Sequence, residues 1–195
     1  MPPQHKVWQR TWLDMNPGWE LKFWTSKPPM PLLGDLYDCT DIPAVKADLA
    51  RLEIIYQFGG VWIDTDMECL KSIGELFAGC SCFGCIEYDP ELYGLPGPSG
   101  VNNCMFGAEP GHRAIEALIR ATDASESRLE PLGGPRVFRD VMHRRTDVRL
   151  FEQGIFMPFV PGQTGDIPET AYAIHHFEGS WRSQNNPAKL HDREP

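Results

Sequence analysis

The stretch "GGVWIDTDMECL" (Gly59–Leu70) decides how the chain reads. A double glycine is followed by an apolar run, Val61–Ile63, and then by Asp64 and Asp66 with Thr65 between them. The run is apolar on both faces, the pattern of a strand interior to a sheet. Side chains alternate along a strand, so Asp64 and Asp66 are expected to point one way and Thr65 the other. At the C-terminal end of an interior strand they would face the crevice where open α/β sheets bind ligands. Two carboxylates held together repel unless a proton or cation lies between them. Hard oxygen ligands suit Mg²⁺ or Mn²⁺, which keep several waters and bridge to phosphates. The plainer reading is a turn at a strand end, where Asp is common anyway.

Upstream, residues 42–58 read as the clearest helix. Asp41 is placed to cap it, Pro43 suits its first turn, and Val45, Leu49, Leu52, Ile55 and Tyr56 lie mostly on one face. The helix carries Asp48 and Arg51, three residues apart, a spacing that also fits a surface ion pair. The short Gly59–Gly60 connection brings its end to the start of the aspartate strand. There the Arg51 guanidinium offers a fork of donors to a phosphate or ribose.

Further out, residues 4–15 read as an amphipathic helix stopped by "NPG", and "WELKFW" (Trp19–Trp24) alternates as a strand does. "SCFGCIEY" and "NNCMFGA" read as strands on either side of a Gly/Pro-rich loop, Asp89–Gly100. "GHRAIEALIRAT" and "PRVFRDVMHRR" read as helices. Short strands are expected at Val148–Phe151 and Phe156–Pro158, and a last one at "AYAIHHF" (Ala171–Phe177). Strands alternating with helices predict an α/β domain.

A chain of 195 residues suits one domain with a full core. No stretch approaches the roughly 18 apolar residues that span a bilayer. With no basic, apolar leader either, a cytoplasmic location is expected. The net charge of −9 argues against a nucleic-acid-binding surface. Of six cysteines, Cys82 and Cys85 have zinc-pair spacing, yet no second pair follows, and the run "CSCFGC" sits in an apolar segment. These thiols read as small core residues.

The segment "ADLARLEIIYQFGGVWIDTDMECLKSI" (Ala47–Ile73) resembles the signature of glycosyltransferase family 32. Members contain a DxD sugar-binding region and include initiating mannosyltransferases, capsular polysaccharide transferases and clostridial glucosylating toxins. The family pattern runs S-D-x-x-R-x-x-x-L-x-x-x-G-G-x-Y-x-D-x-D. Asp48, Arg51, Gly59, Gly60, Asp64 and Asp66 stand in register with it, while Ala47, Ile55 and Trp62 replace its serine, leucine and tyrosine. Fainter likenesses extend over residues 5–182: "TWLDMNPGWE", "NNCMFGAEPGH" with Asn103, "GGPRVF" with Gly134 and Pro135, and "AIHHFEGSW" ending in Ser180 and Trp181.

The resemblance implies a GT-A-like nucleotide-sugar-binding domain over residues 1–182, with a mixed sheet flanked by helices, and residues 183–195 as a peripheral tail. It implies a metal-dependent transferase of polysaccharide biosynthesis, using Mn²⁺ or Mg²⁺. A hexose would pass from a nucleotide-sugar donor to a glycan, lipid-linked or protein acceptor with retention of configuration. Asp64, Asp66 and Arg51 would be catalytic. Asp48, Arg51, Gly60, Asn103, Gly134, Pro135, Ser180 and Trp181 would bind the donor. Asp64, Asp66 and His175 would hold the metal. His176 competes with His175, but strand neighbours face opposite sides, so one alone is expected at the site. A cation with Arg51 would neutralise the leaving diphosphate. No carboxylate pair stands out as nucleophile and acid in the manner of retaining glycosidases.

The family opens on an apolar strand, whereas this chain opens on "MPPQ", so its first strand is expected to be missing here and encoded upstream. Two other readings stand beside this one. The first is a truncated domain that binds sugar nucleotide without turnover. The second is a phosphatase of the haloacid-dehalogenase type, whose strand reads D-x-D-x-T/V. Glu68 stands at that threonine position, and Thr170 in "GDIPET" (Gly165–Thr170) stands where a second aspartate is needed.

Overall fold

The computed structural model describes residues 2–88, 100–126, 129 and 133–179. The chain begins with α1 (Pro3–Met15), whose N-terminal prolines suit a first turn that has no intrahelical partners for its N–H groups. A five-residue helix, α2 (Gly34–Asp38), lies within the proline-rich connection to α3 (Pro43–Phe58). Asp41 does not cap α3. Ile42 takes the N-cap position without a side-chain bond, and its N–H donates to Thr40 Oγ1 at 3.1 Å. Nor is the helix buried along one stripe only: every residue from Asp48 to Ile55 is buried. Its polar members there, Asp48, Arg51 and Glu53, each have protein partners, as burial demands.

Strands β1 (Gly60–Ile63), β4 (Gly100–Ala108), β3 (Cys82–Tyr88) and β5 (Arg149–Phe151) form a mixed sheet in the order β1-β4-β3-β5. The β1–β4 and β4–β3 pairings are antiparallel and β3–β5 is parallel. A second, two-stranded sheet pairs β2 (Met67–Cys69) with β6 (Ala173–His175), placing Met67 opposite His175. The remaining helices are α4 (Arg113–Ala124), α5 (Gly133–Met142) and a short α6 (Gln153–Phe156). Phe156 therefore closes a helix and does not open a strand.

One core lies between the four-stranded sheet and α3, α4 and α5, around Leu49, Phe106, Leu118 and Phe138. The other lies on the opposite face, where Trp12, Met67, Phe83, Met105 and Phe156 meet. This explains why β1 is apolar on both faces although, among the described residues, it pairs with β4 alone and stands at the sheet edge. Trp62 packs on the first core, and Val61 and Ile63 on the second. Contact with a core on each side gives an edge strand the apolar pattern of an interior one.

Trp19–Trp24 keeps its alternation but joins no ladder among the described residues. Trp24 instead packs on Phe58 at 5.6 Å, with Lys22 Nζ 4.2 Å above its ring. The cysteines are free thiols. Cys82 belongs to one core and Cys85 to the other, so the pair cannot share a metal. Among the described residues, no helix is long and apolar enough to cross a membrane.

Candidate functional site

The site forms where α3 turns into β1. Gly59 has φ +67° and Gly60 φ +89°, a left-handed pair that only glycine adopts cheaply. This reversal lays the β1 end beside the middle of α3. Asp64 N–H donates to Cys104 O at 2.8 Å, the last ladder-like bond, and Met67 N–H then closes a turn on Asp64 O at 3.2 Å. The two aspartates therefore sit in a turn between two strands, not along one. Strand alternation is not what brings them together; the turn does so.

Arg51 is the hub. It is 6% exposed, and its Nη2 lies 3.2 Å from Asp48 Oδ1 while Nη1 lies 3.4 Å from Asp64 Oδ1. Nη1 also donates to Asn103 O at 2.5 Å, and the guanidinium stands 5.1 Å from the centre of the Trp62 ring. Asn103 Nδ2 donates to Asp48 Oδ1 at 2.8 Å, and Trp62 Nε1 donates to Asp64 Oδ1 at 2.7 Å. Asp48 and Arg51 are thus a buried, cross-linked pair and not a solvated ion pair on a helix surface.

The third carboxylate faces the other sheet. Asp66 Oδ1 lies 3.4 Å from His175 Nε2, and Asp66 Oδ2 accepts from Glu178 N–H at 3.1 Å. Ligand atoms of Asp64, Asp66 and His175 all lie within 4.8 Å of one another. The site therefore joins an aspartate from the end of β1 to a histidine from β6.

Burial sets the electrostatics. It pushes Asp48 up to about 6 against the pull of Arg51, and raises Asp64 despite Arg51 and the Trp62 indole. Burial also works against charge on Asp66, but His175 and the Glu178 N–H outweigh it and leave that carboxyl below its usual range. Burial would push His175 down, yet Cys104 and Asp66 raise it to about 11. Burial holds the Cys104 thiol well above its ordinary value. At neutral pH Asp66 is accordingly the partner that keeps the proton on His175. Two carboxylate oxygens and an imidazole nitrogen, with His175 Nδ1 buried and lacking a hydrogen-bond partner, suit a divalent cation of the Mn²⁺ or Mg²⁺ kind.

These groups open on a cleft of about 830 Å³ that Gly60, Trp62, Asn103 and Pro135 also line. Gly134 does not line it but abuts Asp48 from behind, in a small internal space shared with Leu118 and Phe138. Ser180 and Trp181 fall outside the described residues. His176 turns away from Asp66 and His175, and its Nε2 bonds Glu68 Oε2 at 3.0 Å. Trp62 was legible only as a departure from the family tyrosine. His5, whose Nδ1 meets Thr65 Oγ1 at 3.1 Å, gave no signal, because its partner is remote in sequence. Asp166 of the phosphatase-like segment is exposed and lies outside the cleft lining.

Residues 2–81 match the family model described as the glycosyltransferase sugar-binding region containing the DXD motif. That segment is similar to the sugar-binding region of DXD-containing glycosyltransferases. The match takes in Asp48, Arg51, Asp64 and Asp66 and ends before Asn103 and His175. An uncharacterised glycosyltransferase of Acanthamoeba polyphaga mimivirus is 25% identical over 203 residues, 93% of this chain and 78% of that protein. Inositol phosphoceramide mannosyltransferase 3 of Schizosaccharomyces pombe is 25% identical over 119 residues, 57% of this chain and 31% of that one. Mannosyl phosphorylinositol ceramide synthase SUR1 of Saccharomyces cerevisiae is 28% identical over 128 residues, 60% and 31% respectively. The chain thus spans under a third of those fungal relatives' length. Among solved structures, the PaToxG glycosyltransferase aligns with a TM-score of 0.44 and 18% identity over 57% of this chain and 40% of that one.

Proposed function

We propose that this chain transfers a hexose from a nucleotide-sugar donor, with a divalent cation at Asp64, Asp66 and His175, to an acceptor carrying a free hydroxyl. The observation that carries this reading is the convergence of those three side chains beside a buried arginine, on the floor of one open cleft. When bound, the cation supplies charge neutralisation at the leaving diphosphate.

The chain's own groups do the rest. Arg51 is fixed by Asp48, Asp64 and Asn103, so its position needs no reorganisation as negative charge builds up on the leaving group. Asp66 and His175 provide the ligand atoms nearest the second sheet. Asp48 and the Asn103 amide lie where a ribose or sugar hydroxyl can replace one of their mutual contacts. Asp64 is already bonded to Trp62 and Arg51, which orients it and limits its reach.

The fungal relatives are named for inositol phosphoceramide, a lipid carrying a sugar-like headgroup. The cleft walls here include the half-exposed Leu13, Trp19, Phe23 and Phe58. We therefore favour a lipid-linked acceptor whose headgroup enters beside the aspartates.

The test is thermal unfolding with a panel of UDP- and GDP-sugars, with and without Mn²⁺, for the parent and for Asp66→Asn. One sugar nucleotide should raise the parent midpoint only when Mn²⁺ is present, and should leave Asp66→Asn unmoved. A parent that no sugar nucleotide stabilises, or an Asp66→Asn variant that responds equally, refutes the proposal. Hydrolysis of the stabilising donor then separates an enzyme from a pure binder.

A further inference from the structure

The proposed cation site depends on Asp66, and Asp66 is held by a segment that supplies no cation ligand beyond His175. His176 N–H donates to Asp66 O at 3.0 Å, and Glu178 N–H donates to Asp66 Oδ2 at 3.1 Å. Residues 176–178 therefore grip this aspartate at its carbonyl and its carboxylate. What anchors that grip is the His176 ring. It stacks on Trp8 with centroids 4.0 Å apart and planes 8° from parallel, and its Nε2 bonds Glu68 Oε2 at 3.0 Å.

Trp8 belongs to a helix that lies along the whole aspartate segment. His5 meets Thr65, Trp12 Nε1 donates to Met67 O at 2.9 Å, and Cys69 N–H donates to Thr11 Oγ1 at 2.8 Å. Helix α1 is thus a splint for residues 65–69, and the Trp8–His176 stack ties the His175-bearing strand to the same splint.

We propose that His176 is a positioning residue for the cation site: clamped between Trp8 and Glu68, it fixes Asp66 and His175 relative to each other. This rests on the proposed cation site and adds residues to it that bear no ligand atom. Side-chain exposures of 27% for His176 and 31% for Glu68 show that neither is needed to fill the core. Their loss should loosen the site without unfolding the chain.

The experiment measures Mn²⁺ affinity by electron paramagnetic resonance, with no donor or acceptor present. Positioning partners of metal ligands typically change affinity by roughly 10–100-fold, and His176→Ala and Glu68→Ala should each lose about that much. Glu68→Gln keeps an oxygen to accept from His176, and Trp8→Phe keeps an aromatic face; both should stay within about threefold of the parent, well short of that range. Unfolding midpoints are compared alongside, since a merely structural role would move the midpoint and not the affinity of the folded fraction. His176→Ala and Glu68→Ala binding Mn²⁺ as the parent does would overturn the proposal.

A parent that binds no Mn²⁺ would instead refute the cation site itself. The clamp is then read by amide exchange in the metal-free protein. Faster exchange at residues 176 and 178 in Glu68→Ala supports it, and unchanged exchange overturns it.

Discussion

Gly134→Ala tests the Asp48–Arg51–Asn103 network without touching any of its members. A Cβ at Gly134 would stand 2.5 Å from Asp48 Oδ2 and 2.7 Å from Asp48 Cβ and Cγ. Ordinary contact begins at 3.4 Å, so the carboxylate must retreat by about 0.9 Å or α5 must move. The carboxylate has no slack, because its Oδ1 is bonded to Asn103 Nδ2 at 2.8 Å and paired with Arg51 Nη2 at 3.2 Å. A retreat of that size breaks at least one of these bonds. A hydrogen bond to a charged group contributes about 1.5–3 kcal/mol, and a helical alanine recovers at most about 1 kcal/mol over glycine. The expected net loss is therefore about 0.5–3 kcal/mol.

Urea unfolding followed by Trp fluorescence reads this as a lower midpoint at constant m-value. The decisive control is the same substitution in an Asp48→Ala background. Removing the carboxylate removes the clash, so Gly134→Ala should cost little there, giving a coupling of about 0.5–3 kcal/mol within the range for residues in contact. An undiminished cost in the Asp48→Ala background, or a single variant as stable as the parent, would show that Gly134 does not act through Asp48.

The pH dependence of stability should carry the mark of Asp48. Its folded value of about 6 lies above the ordinary 3.8, so this carboxyl stabilises the fold most below about pH 4 and loses that contribution as pH rises through about 6. Asp48→Asn should cancel that part of the slope, at most about 3 kcal/mol between those limits, and a parent-minus-variant difference flat with pH would contradict it. Glu53 is 0% exposed, and its Oε1 accepts from both Leu32 N–H at 2.7 Å and Leu33 N–H at 2.6 Å. Glu53→Ala strands the buried Leu33 N–H and removes the partner of the Leu32 N–H, and should lower stability by about 1–3 kcal/mol, while Glu53→Gln, which keeps one carbonyl oxygen, should cost clearly less. Equal urea midpoints for the two variants would mean that those bonds do not matter.

What the sequence made legible was local. Helix α3, its double-glycine exit and the strand behind it are encoded in the apolar spacing and punctuation of one continuous stretch. Asp48, Arg51, Asp64 and Asp66 all lie within it. Cys82 and Cys85 read correctly as core thiols for the same reason, since an apolar strand surrounds them, whereas Cys80 is half-buried and Cys39 exposed. Where the reading failed, pairing at long range decided the outcome. Trp19–Trp24 has the alternation of a strand, but a strand exists only with a partner, and no periodicity reports whether one is present. Val61–Ile63 is apolar on both faces because two separate cores cover it, and one chain cannot distinguish that from an interior position. Asp41 has the residue type of a cap, yet Ile42 takes the N-cap position and no side chain caps the helix.

The aspartate pair shows how a correct meeting can follow from an incorrect premise. Alternation along a strand predicted that Asp64 and Asp66 would face one way. The chain turns between them instead, and the Met67–Asp64 backbone bond closes that turn. Asp64 is consequently held from the α3 side by Arg51 and Trp62, while Asp66 is held from the β6 side by His175, His176 and Glu178. Each carboxylate answers to a different sheet. A single strand would have fixed both on one rigid element, whereas a turn makes their separation depend on how the two sheets are tied. Helix α1 runs along the second sheet at this point, through Trp8, Trp12 and His5. The spacing of the two carboxylates is therefore set largely outside the motif that names the family, by residues whose own sequence pattern announces nothing but an amphipathic helix.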